Sequence, residues 1–285
     1  MPELPEVETI RRAIEPYLLK NTVEDIVIRR KDCRYLFDKK GLNSLKGYEV
    51  SKVERRGKLL IIHLASTSSE AALFIHLGMS GQIKLIKASD FHKDYAKHDH
   101  LIIKFANNIQ IRFCDPRRFG WVDVAFDADI KDYSFLTKLG VEPLSNQFSS
   151  AYLVEVLQKS QSPIKAILLN QKYIAGLGNI YVCEALYRAK IHPLSQGVVI
   201  PKEKVSRLYQ AIVDILKEAI LAGGSSIKDY RSAQGNLGYF QHQFAVYGKE
   251  NQSCPLCQKN CIKKIVQNGR SSFYCHQLQK LYKSS

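Results

Sequence analysis

The chain has 285 residues, with 42 Lys and Arg against 27 Asp and Glu, a formal net charge of +15 and a pI near 9.4. That length is more than one compact core needs and points to two or three modules, while the positive excess points to a polyanion, most simply nucleic acid, ahead of a membrane surface. No run approaches the roughly 18 apolar residues of a spanning helix, and the N-terminal segment lacks the apolar stretch of a signal peptide, so the expectation is a soluble cytoplasmic protein with no membrane partner.

In chain order, the first residues read as a short helix with Val7, Ile10, Ile14 and Leu18 on one face. β-rich runs follow, "TVEDIVIRR", "GKLLIIHLA" and "AALFIHLGMSGQIKLI", and "HLIIKFANNIQIRF" alternates around Asn107-Asn108, a hairpin signal. Short strands without intervening helices predict an antiparallel β-sandwich over residues 1–130 rather than a doubly wound sheet. Residues 131–147 read as an irregular linker. "SSAYLVEVLQKS", "SPIKAILLNQ", "NIYVCEALYRA" and "KEKVSRLYQAIVDILKEAILAG" carry helical periodicity, which predicts a helical domain over 148–224. A long polar loop over 225–246 leads into a metal-bound hairpin module over 247–281. The fold class is α+β in several modules.

Three stretches suggest contact with duplex DNA. "FCDPRRFGWVDV" puts Arg117, Arg118 and Phe119 at a strand end, where an aromatic can replace a stacking partner while arginines reach phosphates or base edges. Met79, in "HLGMSG", sits between glycines and suits the same gap. In "KYIAGLGNIYVCEALY" the dinucleotide-fold reading fails, because the third glycine and the preceding strand are missing. What survives is a turn in which Gly176 and Gly178 let backbone amides approach a phosphate as Asn179 opens a helix. The competing readings are core packing for Met79 and Phe119 and a ligand-free interhelical turn.

The opening "MPELPEVET" carries the most specific chemistry. Removal of Met1 would leave Pro2 as a secondary α-amine. Such an amine titrates near 7.7 to 8.0, so near pH ~7.5 roughly a third is neutral and nucleophilic, against about one lysine in a thousand. Attack on the anomeric carbon of a deoxyribose gives a charged iminium that acidifies the neighbouring sugar carbon, and Glu3 is beside it to move protons. At the other end, Cys254, Cys257, Cys261 and Cys275 crowd into the last 32 of the residues, a cluster that reads as metal rather than disulfides.

Taken together, "PELPEVET", "RRGK", "HLGMSG", "DPRRFG", "GLGNIY" and the cysteine-rich tail resemble, in this order from Pro2 to about Gln279, the formamidopyrimidine-DNA glycosylase and endonuclease VIII family of base-excision enzymes. "KHDH", "GGSSIKDY" and "GYFQHQFAVYG" look like the formamidopyrimidine branch. The resemblance implies a β-sandwich, a helix-two-turn-helix domain and a C-terminal zinc finger, acting as a nucleoid-associated monomer on double-stranded DNA with an oxidised base. It implies Pro2 as Schiff-base nucleophile, Glu3 as the acid that assists base loss, Lys58 as a proton donor in β-elimination, and Arg270 as the finger arginine associated with δ-elimination. His98, Arg117, Arg118, Lys165 and Asn179 fall on DNA contacts, Met79 and Phe119 on the wedge, and Glu6 and Glu184 near the lesion pocket.

The finger departs from the family pattern. "CPLC" supplies one pair, but the second reads "CHQL", with Leu278 where a cysteine belongs, and an inserted residue accompanies Cys261. Zinc is expected on Cys254, Cys257 and Cys275, with Cys261 or His276 as fourth ligand. The expected reaction is excision of oxidised purines followed by strand cleavage through β,δ-elimination. The alternatives are an endonuclease VIII-type preference for oxidised pyrimidines and a lesion-binding protein without catalysis.

Overall fold

The computed structural model describes residues 2–90, 95–225 and 239–284. Contacts divide the chain into two compact units, Met1–Thr137 with Ala222–Gln241, and Lys138–Leu221 with His242–Ser285. The finger thus belongs to the helical unit, and residues 222–241 return to the β unit. Most of the expected long polar loop, residues 226–238, lies outside the described residues.

The first unit opens with α1 (Leu4–Leu18), whose Val7, Ile10, Ile14 and Leu18 are all fully buried. Two four-stranded antiparallel sheets follow. One has the order β1 (Val23–Ile28), β6 (Asp99–Phe105), β7 (Ile109–Cys114), β5 (Gln82–Lys87); the other β2 (Glu49–Arg56), β3 (Leu59–Ala65), β4 (Glu70–His76), β8 (Trp121–Phe126). Asn108, at φ +59°, makes the β6–β7 turn where the sequence signalled a hairpin. The main core lies between the sheets and takes the apolar face of α1, with Leu60, Ile62, Leu73 and Ile75 pointing into it.

The alternate residues Leu59, Ile61, Ala72 and Phe74 face the other way and are buried too. Ile130, Tyr133, Phe135 and Leu136 cover them, with Tyr133 stacked on Phe74 at 3.9 Å. This second burial explains why β3 and β4 read as nearly continuous apolar runs rather than alternating ones. Part of the expected linker is therefore a lid on the sheet, and it includes one helical turn, Ser134–Thr137, which we label α3 after the short α2 (Lys39–Ser44).

The second unit packs α4 (Ser150–Gln158), α5 (Ile164–Leu169), α6 (Asn179–Arg188) and α7 (Lys202–Leu221), then the hairpin β9 (Ile262–Gln267) and β10 (Arg270–Cys275). Helix α6 is buried on nearly every side, from Ile180 to Tyr187, because α5, α7 and β10 all lie against it. The tail joins the same unit: Ile191 bridges Lys280, and the Gln279 Nε2 donates to the Ile191 carbonyl at 2.7 Å.

Candidate active site and metal centre

In the first unit, Glu3 and Glu6 form a capping box at the start of α1, and the Glu3 amide donates to Glu6 Oε2 at 2.8 Å. Both glutamates are 1% exposed. The other Glu6 oxygen accepts from the Ser225 amide at 2.8 Å and its hydroxyl at 2.9 Å. Gly224, at φ +78°, lies so close that a Cβ there would meet the Glu6 side chain at 3.2 Å. Glu6 thus supports the start of α1, directly after Pro2 and Glu3, and holds Ser225.

Lys58 stands at the β2–β3 turn, after Gly57 at φ +59°. Arg55 closes that turn by donating to the Gly57 carbonyl at 2.9 Å and reaches Glu8 on α1 at 3.2 Å. Burial opposes the charge on Glu8, but hydrogen bonds from Arg11 and Arg12 and the nearby Arg55 charge hold its carboxyl below the usual range. One ion cluster therefore ties the Pro2-bearing helix to the Lys58-bearing turn. Sequence reasoning did not single out Glu8 or Arg55; the doublet in "ERRGK" was the available signal.

His76, also not singled out, ends β4 stacked on Trp121 at 5.6 Å. It accepts the Gly78 amide at Nδ1, 3.1 Å away. Burial first, then the charges of Lys58 and Arg34, push its pKa down to about 4. The ring is therefore neutral at physiological pH.

The two wedge stretches meet. A Cβ at Gly78 would fall 2.4 Å from the Phe119 backbone, so only glycine permits this approach. Asp115 is fully buried and clamps the pair: it accepts from Ser80 Oγ at 2.5 Å and from the Gly120 amide at 2.7 Å, while Ser80 Oγ accepts the Arg117 amide at 3.1 Å. Met79 (39% exposed) and Phe119 (43% exposed) project from this clamp, with the Arg117 guanidinium 4.9 Å over the Phe119 ring. Arg118 is exposed beside them at φ +58°. His98 is half-buried, 6.3 Å edge-on to His100, and its carbonyl accepts the Asp115 amide at 3.1 Å.

In the second unit, the glycine turn is internally braced. Gln171 accepts the Gly176 amide at 2.8 Å and donates to the Leu177 carbonyl at 2.8 Å, so the Gly176 amide expected to approach a ligand is already used. Gly178 caps α6 without a side-chain partner. Lys165 is 1% exposed and donates to the Ser271 carbonyl at 3.0 Å and Ser272 Oγ at 2.6 Å. Asn179 donates to the same carbonyl at 2.9 Å. Both residues thus grip the finger hairpin, whose Asn268-Gly269 turn, both at positive φ, presents an exposed Arg270. Glu184 is 2% exposed and accepts the amides of Ala245, Val246 and Tyr247 at 2.7 to 2.9 Å. Burial raises its pKa even against those three donors.

The Sγ atoms of Cys254, Cys257, Cys261 and Cys275 lie within 4.8 Å of one another. Cys257, Cys261 and Cys275 are spaced 3.0, 3.2 and 3.8 Å apart. Four sulfurs at about 2.3 Å from one tetrahedral ion are about 3.8 Å apart, so the cluster fits a single metal. His276 is turned away, its Nδ1 against the Cys261 carbonyl at 2.8 Å. Leu278 instead packs on the apolar cluster of Tyr187, Val246 and Ile262 around the cysteines. Cys261 is thus the fourth sulfur that Leu278 does not supply.

The chain matches the formamidopyrimidine-DNA glycosylase N-terminal domain over residues 1–122 and the formamidopyrimidine-DNA glycosylase H2TH domain over residues 139–231. It is 44% identical to the formamidopyrimidine-DNA glycosylase of Roseobacter denitrificans, across 98% of this chain and 100% of that one. The wild-type Lactococcus lactis Fpg protein, solved with DNA containing N7-benzyl-Fapy-dG, superposes with a TM-score of 0.87 at 36% identity, covering 98% of this chain and 100% of that one. The same protein with DNA containing an oxidised pyrimidine gives 0.86 at 35% identity, with the same coverage. With both domain models matched in order and full-length relatives above 40% identity, the chain belongs to the formamidopyrimidine-DNA glycosylase family.

Proposed function

We propose that this protein excises oxidised purines, 8-oxoguanine and formamidopyrimidines, from duplex DNA and then cuts the strand, using Pro2 as nucleophile once Met1 has been removed. The observation that carries the reading is the capping box, which fixes Glu3 in a buried turn directly after Pro2. The Pro2 amine attacks C1′ of the damaged nucleotide and the N-glycosidic bond breaks. A proton from Glu3 compensates the departing base, the amine proton is lost to leave a closed-ring aminal, and cleavage of the C1′–O4′ bond with protonation of O4′ opens the sugar to the iminium. Removal of a C2′ proton expels the 3′ phosphate, with Lys58 supplying a proton, and δ-elimination with Arg270 at the phosphate releases the 5′ side. Arg117, Arg118 and His98 hold the duplex while Met79 and Phe119 fill the gap left by the extruded base.

Zinc is the proposed ion, held by Cys254, Cys257, Cys261 and Cys275, and its contribution is to fold the finger. Lys165 and Asn179 then support Arg270 through the Ser271 carbonyl. The protein is proposed to work as a monomer on chromosomal DNA in the cytoplasm; no described helix is long and apolar enough to cross a membrane.

Borohydride reduction during incubation with 8-oxoguanine opposite cytosine should trap protein on DNA, with the adduct mapping to Pro2. An adduct at Lys58, or trapping undiminished when Met1 is retained, overturns the proposal; excision without trapping leaves a simple glycosylase. Because a relative is solved with oxidised pyrimidine DNA, the assay should include that lesion in competition, and faster excision of it would reverse the stated preference.

A further inference from the structure

We infer that the Tyr187 hydroxyl is a positioning group for the metal centre: it donates to the Cys254 thiolate and makes metal retention depend on helix α6. The inference rests on the proposal that Cys254, Cys257, Cys261 and Cys275 share one zinc ion. The phenol oxygen lies 3.3 Å from Cys254 Sγ, within the sulfur hydrogen-bond range, with Tyr187 3% and Cys254 0% exposed. A metal-bound thiolate carries no proton and can only accept, so the phenol is the donor of this bond.

A divalent ion with four thiolates carries two excess negative charges, because ligating thiols are deprotonated. In a buried setting those charges must be met by hydrogen-bond donors, since no water replaces them. Tyr187 reaches Cys254 from another element, helix α6. Three residues before it on the same helix face, Glu184 holds the amides of Ala245, Val246 and Tyr247, and Asn179 at the helix start holds the Ser271 carbonyl. Helix α6 therefore meets the finger at its hairpin, at its entry loop and at a metal-ligating sulfur. The link makes ion binding and hairpin placement parts of one structure.

The test compares wild type with Tyr187→Phe, which removes the hydroxyl and little volume. Full-length protein is stripped of metal under reducing conditions and loaded with cobalt(II), whose thiolate charge-transfer band reports on the sulfurs. The expected result is that Tyr187→Phe still binds one tetrahedral cobalt, that its charge-transfer band moves to lower energy because a thiolate lacking a donor is easier to oxidise, and that a competing chelator removes cobalt about tenfold more readily. Unfolding of the metal-free proteins should coincide. An unchanged band and unchanged competition overturn the inference, as does an equal loss of stability with and without cobalt, which would make Tyr187 ordinary packing. A wild-type protein that takes up no cobalt overturns the metal reading and this inference with it.

Discussion

Two tips on this molecule present an arginine to solvent, and they are held in place by different means. Arg117 rides on a loop after β7, clamped by the buried Asp115 and backed by a core between two sheets. Arg270 rides on a two-stranded hairpin, steadied by a buried lysine, an asparagine and a four-sulfur cluster. A large apolar core lets a loop depend on one carboxylate. A module of some 35 residues has too little core for that and needs a metal or a neighbour. The finger has a neighbour in helix α6 and a four-cysteine cluster that fits a metal, and it groups with the helical unit.

This contrast sets the largest expected effect. Removing the metal with a chelator should lower strand cleavage by about 100-fold or more, while fluorescence of Trp121, the single tryptophan and part of the β unit, stays unchanged. A matching change in Trp121 would mean that the two tips do not fail separately. Next, Asp115→Ala should destabilise the β unit by about 3 kcal/mol, since it strands the Ser80 hydroxyl and the Gly120 amide in a buried site. Ser80→Ala should cost about 1 kcal/mol. Urea unfolding followed at Trp121 measures both, and equal costs would remove Asp115 from the centre of the clamp.

A smaller effect is expected with pH. His76 has its pKa pushed to about 4, below the unfolded value of about 6.5, so the unfolded chain binds more protons between these limits. Stability present above about pH 6.5 is therefore lost as pH falls toward about 4. Wild type should lose about 2 kcal/mol more than His76→Gln between about pH 7 and about 4.5; parallel curves would mean that the ring is hydrated. A comparably small effect should come from Leu278→Cys, which places a cysteine where the family pattern has one. Metal content should stay at one ion per chain and stability should fall by about 1 kcal/mol, because Leu278 packs in the apolar cluster. A changed cobalt spectrum in that variant would show that position 278 reaches the sulfurs.

Much of the fold was legible because its signals are local. The face of α1, the strand runs and the Asn107-Asn108 turn follow from side-chain period and backbone preference over a few residues. The lid formed by Ile130, Tyr133, Phe135 and Leu136 was not, since an apolar residue in an irregular stretch does not declare which surface it covers. Of the site, the sequence named Glu6, Lys165, Asn179 and Glu184, but not what they touch. Lys165 is nearly fully buried against the hairpin, with Ser271 lying more than 100 positions away in the chain. Glu8 and Arg55, 47 positions apart, became a pair only once α1 lay against β2.

By itself, the sequence determined most of the secondary-structure elements, the family and the presence of a cysteine cluster, all of which depend on residue type and short spacing. Only the tertiary structure decided between Cys261 and His276, because that choice depends on where a turn aims a side chain: the His276 ring bonds a backbone carbonyl, while the Cys261 sulfur joins the other three. The tertiary structure also decided that α6 braces the finger, since hydrogen bonds such as that of Tyr187 to Cys254, 67 positions on, exist only after the chain has closed on itself.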